Sequence, residues 1–203
     1  MEYDPSPEDP IGVVAPYLDR DPRWIVIGGL GDVMEARQAR DRWPKVRIVG
    51  LDPDPRAIRW QRENGWPTGC DLLEIALSDR IERRVIRMDS VCCPSMHPFM
   101  IERGKGELRP VQCTTLDDLD RFYQFEDCVL WLDLEGWDYT ALRGAPKLLA
   151  SGRVMVVNVE VRYDDPETNA AMGQLLTDAG YNRVLTWFRQ WRGHNEVWKH
   201  AKS

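Results

Sequence analysis

The sequence predicts an α/β fold, with a doubly wound, mostly parallel sheet that carries an antiparallel pair of strands at its C-terminal end. Mainly apolar runs at 24–27, 46–51 and 129–132 each lead into glycine or acidic residues, as strands buried on both faces of a parallel sheet do. The strand that begins with the third run is predicted to extend over 129–135. Segments with helical spacing separate these runs, so crossover helices are predicted between the strands. Two further runs, at 181–185 and 196–199, are joined by a short connector, which is typical of antiparallel neighbours.

The whole chain of 203 residues is predicted to form one domain. That length is enough to bury a sizeable core, and the 43% hydrophobic and 30% charged residues are ordinary for a globular protein. Residues 1–10 are polar and rich in proline, so we expect a loose leader rather than a signal peptide. No apolar run approaches the length that spans a membrane.

Net charge and cysteine content restrict the binding partners and the cellular compartment that we expect. The formal net charge is −6, which argues against a nucleic acid or an anionic membrane as partner. The cysteines are odd in number and irregularly spaced, which fits a reducing cytoplasm better than a disulfide framework. Cys92, Cys93 and His97 match no zinc spacing, and chance explains their proximity. They fall in an irregular segment, 90–109, that we expect to cover the substrate as a lid.

A glycine-rich turn follows the first apolar run. Gly28-Gly29-Leu30-Gly31-Asp32 stands between that run and a segment with helical spacing. Strand, glycine turn and helix form the opening unit of a nucleotide-binding sheet, because glycines let the backbone approach a ligand and the helix start offers free amide hydrogens. Gly28, Gly29, Gly31 and Asp32 are therefore candidate cofactor-binding residues. The alternative is a tight turn that binds nothing.

An acidic residue ends the second apolar run. Asp52 lies about 20 residues after the glycines, where an acid usually accepts hydrogen bonds from the ribose hydroxyls of a nucleotide. The alternative is that Asp52 caps the next helix, which opens at Pro55. Because Asp54 can supply that cap instead, we favour the ribose role for Asp52.

Further strands and a helix are predicted on either side of the central run. Residues 72–77 are predicted to form the third strand, and 83–88 an edge strand. A helical pattern begins after Thr115, which we expect to cap that helix together with the acidic residues that follow. Residues 154–160 predict another buried strand, which places Glu160 at its carboxyl end.

The candidate catalytic residues follow the strongest apolar run. Asp133 and Glu135 lie where that strand leaves the sheet, and open α/β sheets bind ligands at this edge. Residues two apart on a strand share a face, so both are predicted to point into the site if the strand continues that far. Such a pair can raise one pKa, as a general base requires. Binding a divalent cation and capping the next helix are the alternatives. Glu160 is predicted to face the same crevice.

Taken in order, several segments resemble the FkbM-type methyltransferases, which depend on S-adenosylmethionine. The matching segments are Asp52-Pro53-Asp54-Pro55, Ala76-Leu77-Ser78-Asp79, Thr115-Leu116-Asp117-Asp118-Leu119, Leu132-Asp133-Leu134-Glu135-Gly136-Trp137-Asp138, Ala141-Leu142-Arg143-Gly144-Ala145 and Val157-Asn158-Val159-Glu160. The resemblance implies a Rossmann-like fold and S-adenosylmethionine as cofactor. It also places Ala76, Leu77, Ser78 and Asp79 beside the adenine, although a strand followed by a simple turn explains them equally well.

The chain departs from the family pattern at two positions. Ile27 stands where the family usually has an acid two residues before the paired glycines, and that acid would help to hold the methionine part of the cofactor. Asp32 is a candidate substitute. Trp131 stands where a lysine usually precedes Asp133.

Three functions follow from these observations. The resemblance implies a methyltransferase, and we expect O-methylation of a hydroxyl on a sugar, a glycan or a small natural product. The second is a degenerate, non-catalytic binding or assembly module, which would contact a partner or a second copy through Trp187 and Trp191; packing of these tryptophans on the sheet is the alternative. A nicotinamide-dependent oxidoreductase ranks last, because the full glycine fingerprint is missing.

Overall fold

A computed structural model describes residues 9–30, 34–88, 107–187 and 193–202. Its strands form a main sheet of seven strands and a small sheet of three. The strands are β1 (Trp24–Gly28), β2 (Arg47–Leu51), β3 (Asp71–Leu73), β4 (Ala76–Leu77), β5 (Glu82–Met88), β6 (Glu107–Thr114), β7 (Cys128–Leu132), β8 (Val154–Arg162), β9 (Tyr181–Trp187) and β10 (Gly193–His200).

Helices connect these strands. They are α1 (Pro10–Val14), α2 (Met34–Arg42), α3 (Pro55–Glu63), α4 (Leu116–Tyr123), α5 (Asp138–Arg143), α6 (Pro146–Ala150) and α7 (Pro166–Asp178). Side-chain caps start several of them, as the sequence predicts. Asp54 accepts a hydrogen bond from the backbone N–H of Arg56 (2.8 Å), and Thr115 accepts one from Asp118 (3.0 Å). These caps satisfy amide hydrogens that have no partner inside the helix.

The main sheet has the strand order β3-β2-β1-β7-β8-β10-β9. Adjacent strands from β3 to β8 are parallel, and β10 runs antiparallel to both β8 and β9. The predicted fold class is therefore confirmed, including the antiparallel C-terminal strands. The chain reverses its direction of winding between β1 and β7, which makes the carboxyl ends of these two strands the topological switch point where such sheets bind ligands.

Two apolar layers cover the main sheet. Alternate residues of each central strand contribute to opposite layers, so Val26 and Leu130 belong to one and Ile27 and Trp131 to the other. Trp187 packs in the second layer, where its ring centroid lies 5.8 Å from that of Trp131. The packing role considered for Trp187 is thus confirmed, whereas Trp191 lies outside the described residues.

Two strand predictions are wrong in their extent. The run at 72–77 is broken, because Leu73 pairs with Leu51 in the main sheet while Leu77 pairs with Thr114 in the small sheet. The central strand ends at Leu132 rather than at Glu135. Glu135 has φ +52 and Gly136 has φ +88, and this left-handed turn cannot continue a strand.

The peripheral predictions have mixed outcomes. Strand β5 pairs only with β6 among the described strands, as expected of an edge strand. The irregular segment predicted at 90–109 is shorter than expected, because β6 begins at Glu107. The remaining residues of that segment, with Cys92, Cys93 and His97, lie outside the described ranges. Across those ranges, every helix is too short or too polar to cross a membrane.

Candidate functional site at the switch point

The carboxyl ends of β2, β1 and β7 meet at one level. Leu51, Gly28 and Leu132 are register partners on the three strands, so the residues that follow them stand side by side at the sheet edge. The ladder continues one step beyond the strands. The N–H of Gly29 donates to the carbonyl of Leu51 (3.0 Å), and that of Asp133 donates to the carbonyl of Gly28 (3.0 Å).

Gly29 is required by close packing against the central strand. Its φ is +81, and a Cβ built on it would lie 1.9 Å from the carbonyl oxygen of Asp133. Gly28 is also confined, since a Cβ there would lie 3.0 Å from Leu77 and 3.1 Å from Leu132. The turn therefore brings the main chains of Gly29 and Asp133 into contact. Gly31 and Asp32 lie outside the described residues.

Asp52 holds the glycine turn in place. It is only 5% exposed, and its two carboxylate oxygens accept hydrogen bonds from the backbone N–H groups of Leu30 (2.9 Å) and Asp54 (2.7 Å). Burial raises the pKa of Asp52 to about 6, against the opposing effect of these two hydrogen bonds. Asp54 caps α3, so Asp52 is not needed there. Each carboxylate oxygen keeps a second lone pair with which to accept a ligand hydroxyl.

Asp133 directly follows β7 at the switch point, where sheets of this kind have their ligand-binding crevice. Its side chain is exposed to solvent, yet protein surrounds it closely enough that desolvation is the largest influence on its pKa. Desolvation, followed by the negative charge of Glu135, raises the pKa of Asp133. The predicted pair is therefore close together, although a turn and not a shared strand face brings the two carboxylates near each other.

Glu135 belongs to the turn that follows Asp133. Its carboxylate lies 4.0 Å from the guanidinium of Arg162, which also pairs with Asp164 at 2.9 Å. Arg162 is 7% exposed, so it is a buried cation next to the crevice. The N-cap residue of α5 is Trp137, whose side chain makes no capping bond.

Asp138 was missed by sequence reasoning. It is 2% exposed, and its carboxyl accepts hydrogen bonds from the backbone N–H groups of Leu134 (3.2 Å) and Glu160 (3.5 Å). These bonds join the loop after β7 to β8. Burial, and then the charge of Asp133, raise the pKa of Asp138 to about 7. The sequence offered one signal for this role, because Asp138 is a third acid in the motif that contains Asp133 and Glu135. It stands at the start of a helix, however, where an acid is usually interpreted as a local cap.

Glu160 lies level with Asp133 on the neighbouring strand. Trp131 and Asn158 are register partners, so two steps further along the parallel strands Asp133 stands opposite Glu160. Burial, the charges of Asp133 and Asp138, and a smaller effect of Glu135 raise the pKa of Glu160 far above its ordinary value, against the opposing charge of Arg162. Glu160 is thus protonated at neutral pH and adds no charge beside Asp133.

Of the four residues predicted to flank adenine, Leu77 lies next to the glycine turn. Leu77 approaches Gly28, while Ser78 is fully buried and donates its backbone N–H to Thr114 (2.8 Å). Asp79 forms ion pairs with Arg143 (2.6 Å) and Arg80 (3.4 Å). Ala76 is buried under the small sheet. Their contact with adenine stays a prediction.

Among the described residues, the acidic side chains do not form a metal centre. Within the ranges that the structure describes, no group of three or more His, Cys, Asp or Glu side chains has an arrangement that could hold a metal ion. The divalent cation considered for Asp133 and Glu135 therefore has no structural support.

The sheet order and the topological switch point define the class of fold as Rossmann-like, and solved methyltransferases share this fold. Fibrillarin from Aeropyrum pernix, with natively bound S-adenosylmethionine, has 15% identity and a TM-score of 0.51, and the match covers 91% of this chain and 68% of that chain. The 23S rRNA methyltransferase ErmE has 10% identity and a TM-score of 0.51, with 98% and 70% covered. At these identities the likeness concerns the fold alone.

The family is shown by a direct match. The model of the methyltransferase FkbM domain matches residues 32–183, which is more than half of the chain, so the chain belongs to this family of S-adenosylmethionine-dependent methyltransferases. No curated protein matches the chain.

The residues present fit this cofactor. S-adenosylmethionine carries positive charge on its sulfur and its amino group, and the crevice is lined by the carboxylates of Asp133 and Glu135. Asp52 lies where nucleotide-binding sheets carry the acid that binds ribose, and its ribose role stays a prediction. Ile27 packs in an apolar layer and supplies no acid. Asp133 brings a carboxylate to the same turn, because its main chain contacts Gly29.

Proposed function

We propose that this chain is an O-methyltransferase that methylates a hydroxyl on a sugar, a glycan or a small natural product. The observation that carries the proposal is the position of Asp133, a solvent-exposed carboxylate at the switch point in direct contact with the glycine turn. A hydroxyl nucleophile needs a base at the place where it meets the methyl group, and a carboxylate whose pKa is raised is a better base than an ordinary one.

Each residue at the switch point has a separate role in the proposed reaction. When bound, S-adenosylmethionine supplies a methyl group on a positively charged sulfur. Gly28 and Gly29 let the turn pack against the neighbouring strands, and Asp52 would accept hydrogen bonds from the ribose hydroxyls. Asp133 would take the proton of the acceptor hydroxyl as the hydroxyl oxygen bonds to the methyl group that S-adenosylmethionine would supply, with S-adenosylhomocysteine as the leaving group. The protein therefore contributes alignment and one proton transfer.

Glu135 and Glu160 support this role in different ways. Glu135 raises the pKa of Asp133 by charge repulsion, and its own carboxylate is balanced by Arg162 at 4.0 Å. Glu160 is neutral, so it can donate or accept a hydrogen bond but does not act as the base. A single base beside two supporting carboxyl groups fits one proton transfer per turnover.

A neutral acceptor of modest size suits this crevice. The chain has a net charge of −6, and several carboxyl groups line the switch point, so a polyanion such as a nucleic acid would be repelled. A neutral hydroxyl compound meets no such repulsion, and the positive charge of the cofactor offsets the carboxylates.

The competing proposal is a degenerate binding module on the same fold. Ile27 in place of the usual acid favours it. This proposal expects Trp187 to contact a partner or a second copy of the chain. That contact has little support, because Trp187 is 8% exposed and its indole N–H donates to Asn158 (3.0 Å). The two proposals differ in whether the folded chain binds the cofactor.

The test measures cofactor binding and turnover in wild type and in Asp133→Asn. We expect calorimetry to show S-adenosylmethionine and S-adenosylhomocysteine binding to both proteins, because the variant keeps the shape of the site. Formation of S-adenosylhomocysteine with a panel of hydroxyl acceptors should occur in wild type and fall about 100-fold or more in the variant.

Glu135→Gln is the matched control from the same turn. It should keep turnover but move the acidic limb of the pH–rate profile to lower pH, because a negative neighbour of Asp133 is removed. Full turnover in Asp133→Asn would end the role of Asp133. Absence of binding heat from folded wild-type protein would favour the degenerate module.

A further inference from the structure

A row of side chains crosses four adjacent strands beside the crevice. Register pairs place Asn195 of β10 opposite Glu160 of β8 and opposite Trp187 of β9, while Asp133 stands level with Glu160 on the other side. Residues that pair in this way point to the same face of a sheet, and neighbouring strands lie about 4.8 Å apart. Asp133, Glu160 and Asn195 are thus consecutive polar positions that lead away from the glycine turn.

Two oxygen atoms in this row have no hydrogen-bond partner among the described residues. Asn195 is 7% exposed, and its Oδ1 is buried without a hydrogen bond among the described residues. Oε2 of Glu160 is buried and unpartnered in the same part of the structure. Most buried polar atoms in folded proteins have a partner, because an unsatisfied one is destabilising. Two such atoms on neighbouring strands indicate a place for a group that donates hydrogen bonds.

Asn158 shows what the same residue does when it is purely structural. It lies on the same face of β8, two residues before Glu160, and its Oδ1 accepts the indole N–H of Trp187 at 3.0 Å. The neighbouring Asn195 has no equivalent donor in the described chain. Asn158, deeper in the sheet, therefore has its hydrogen-bond partner within the protein. Asn195, at the level of the crevice, has none for its Oδ1 among the described residues.

We propose that Glu160 and Asn195 form a subsite for a second hydroxyl of the acceptor, adjacent to the hydroxyl that Asp133 deprotonates. The acceptor class is then a vicinal diol, as found around a sugar ring. This inference rests on the proposed O-methyltransferase function and makes Asn195 a specificity-determining residue. A hydroxyl suits the pair, because it can donate to the amide oxygen of Asn195 and exchange a hydrogen bond with the neutral carboxyl of Glu160.

The geometry supports contact of one small acceptor with both positions. Hydroxyls on adjacent carbons are separated by less than one strand spacing, and Asp133 and Glu160 lie at the same level of neighbouring strands. Asp138 fixes that arrangement, since its carboxyl accepts from Leu134 and from Glu160 and so joins the two strand ends. Trp187 closes the far end of the row.

The test measures the binding of small alcohols to the protein saturated with S-adenosylhomocysteine. Dissociation constants from NMR titration are compared for cis- and trans-cyclopentane-1,2-diol, cyclopentanol and 2-aminocyclopentanol. We expect one of the diols to bind about tenfold more tightly than cyclopentanol, as one additional hydrogen bond provides. Asn195→Ala should reduce that preference to less than about threefold.

Asn158→Ala is the matched control. It removes a buried asparagine from the same face and should keep the diol preference, even if the protein becomes less stable. Equal binding of diols and cyclopentanol in wild type, or a preference that survives Asn195→Ala, overturns the subsite. Tighter binding of the amino alcohol than of either diol overturns the hydroxyl class. Failure of calorimetry to detect S-adenosylhomocysteine binding would contradict the proposed function itself, so the two failures are distinguishable.

Discussion

At the scale of single residues, Gly29 shows how one position joins two strands. Its φ of +81 lies in the left-handed region, and its missing Cβ leaves room for the carbonyl of Asp133. A side chain there would have to displace backbone, which is much harder than turning a flexible side chain. The contact between the glycine turn and the proposed base therefore depends on this one glycine.

We predict that Gly29→Ala destabilises the fold by about 2 kcal/mol or more, because it adds a backbone clash to the strain of a left-handed alanine. It should also abolish cofactor binding. Gly69→Ala is the matched control, since Gly69 has φ +76 but a Cβ there would meet nothing within 4 Å. Denaturant unfolding measures both, and equal losses in the two variants would contradict the clash with Asp133.

Two carboxyl groups at one level of the sheet differ in protonation for a physical reason. Asp133 opens to solvent, so its charge is partly hydrated, whereas Glu160 is largely buried beside other carboxyls. Desolvation raises the pKa of both groups, but the charges of Asp133, Asp138 and Glu135 all act on Glu160, whereas Asp133 is raised by the charge of Glu135. The base and the neutral hydrogen-bonding group are thus separated by environment and not by residue type.

At the scale of elements, one side chain ties two helices together. Asp117 lies in the first turn of α4, yet its carboxylate accepts hydrogen bonds from the backbone N–H groups of Lys147 (3.1 Å) and Leu148 (2.8 Å) at the start of α6. The sequence predicts that the acids after Thr115 cap their own helix together with it. Thr115 does so, whereas Asp117 caps a neighbouring helix that is distant in sequence.

We predict that Asp117→Ala lowers the free energy of unfolding by about 1–2 kcal/mol, as loss of a capping residue does. Asp118→Ala is the control in the same helix turn, because Asp118 makes only an exposed ion pair with Arg121 at 3.4 Å. That variant should lose about 0.5 kcal/mol or less. Denaturant unfolding compares the two, and the prediction fails if they are equally stable.

At the scale of the whole molecule, the carboxyl edge of the main sheet makes stability depend on pH. Folding raises the pKa of Asp52 to about 6 and that of Asp138 to about 7, both from an ordinary value of 3.8, and raises that of Glu160 as well. The folded chain then binds more protons than the unfolded chain, so these groups make stability fall as the pH rises.

Asp138→Asn isolates one of these contributions. The stability that Asp138 contributes through its proton is fully present below pH 3.8 and is lost as the pH rises through about 7. Between pH 5 and pH 8 the wild type should therefore lose on the order of 2 kcal/mol relative to the variant, whose amide does not titrate. Thermal unfolding across this range measures the difference.

Groups with pKa values shifted downward, such as Glu196 and His200, are present in both proteins and cancel in that comparison. A constant difference between wild type and Asp138→Asn at all pH values would show that Asp138 does not keep its proton on folding.

The sequence by itself determined the features that arise from neighbours along the chain. Apolar runs predicted the strands of the main sheet, since burial on both faces requires continuous apolar residues. Asp54 and Thr115 were recognisable as caps, because a cap acts on amides two or three residues away. The glycine turn and Asp52 were found for the same reason, as parts of one compact unit.

Only the tertiary structure decided which distant groups share an environment. Asn195 enters the site because β10 inserts between β8 and β9, and no local pattern marks it. The positive φ of Glu135 belongs to a turn that ends the central strand, although the apolar residues before it had predicted that the strand would continue. Such a backbone conformation depends on the contacts that the chain makes after the turn. Protonation of Glu160 likewise depends on burial and on charges from another strand. Strand register and desolvation are properties of the assembled sheet, and they separate the proposed base from the proposed subsite.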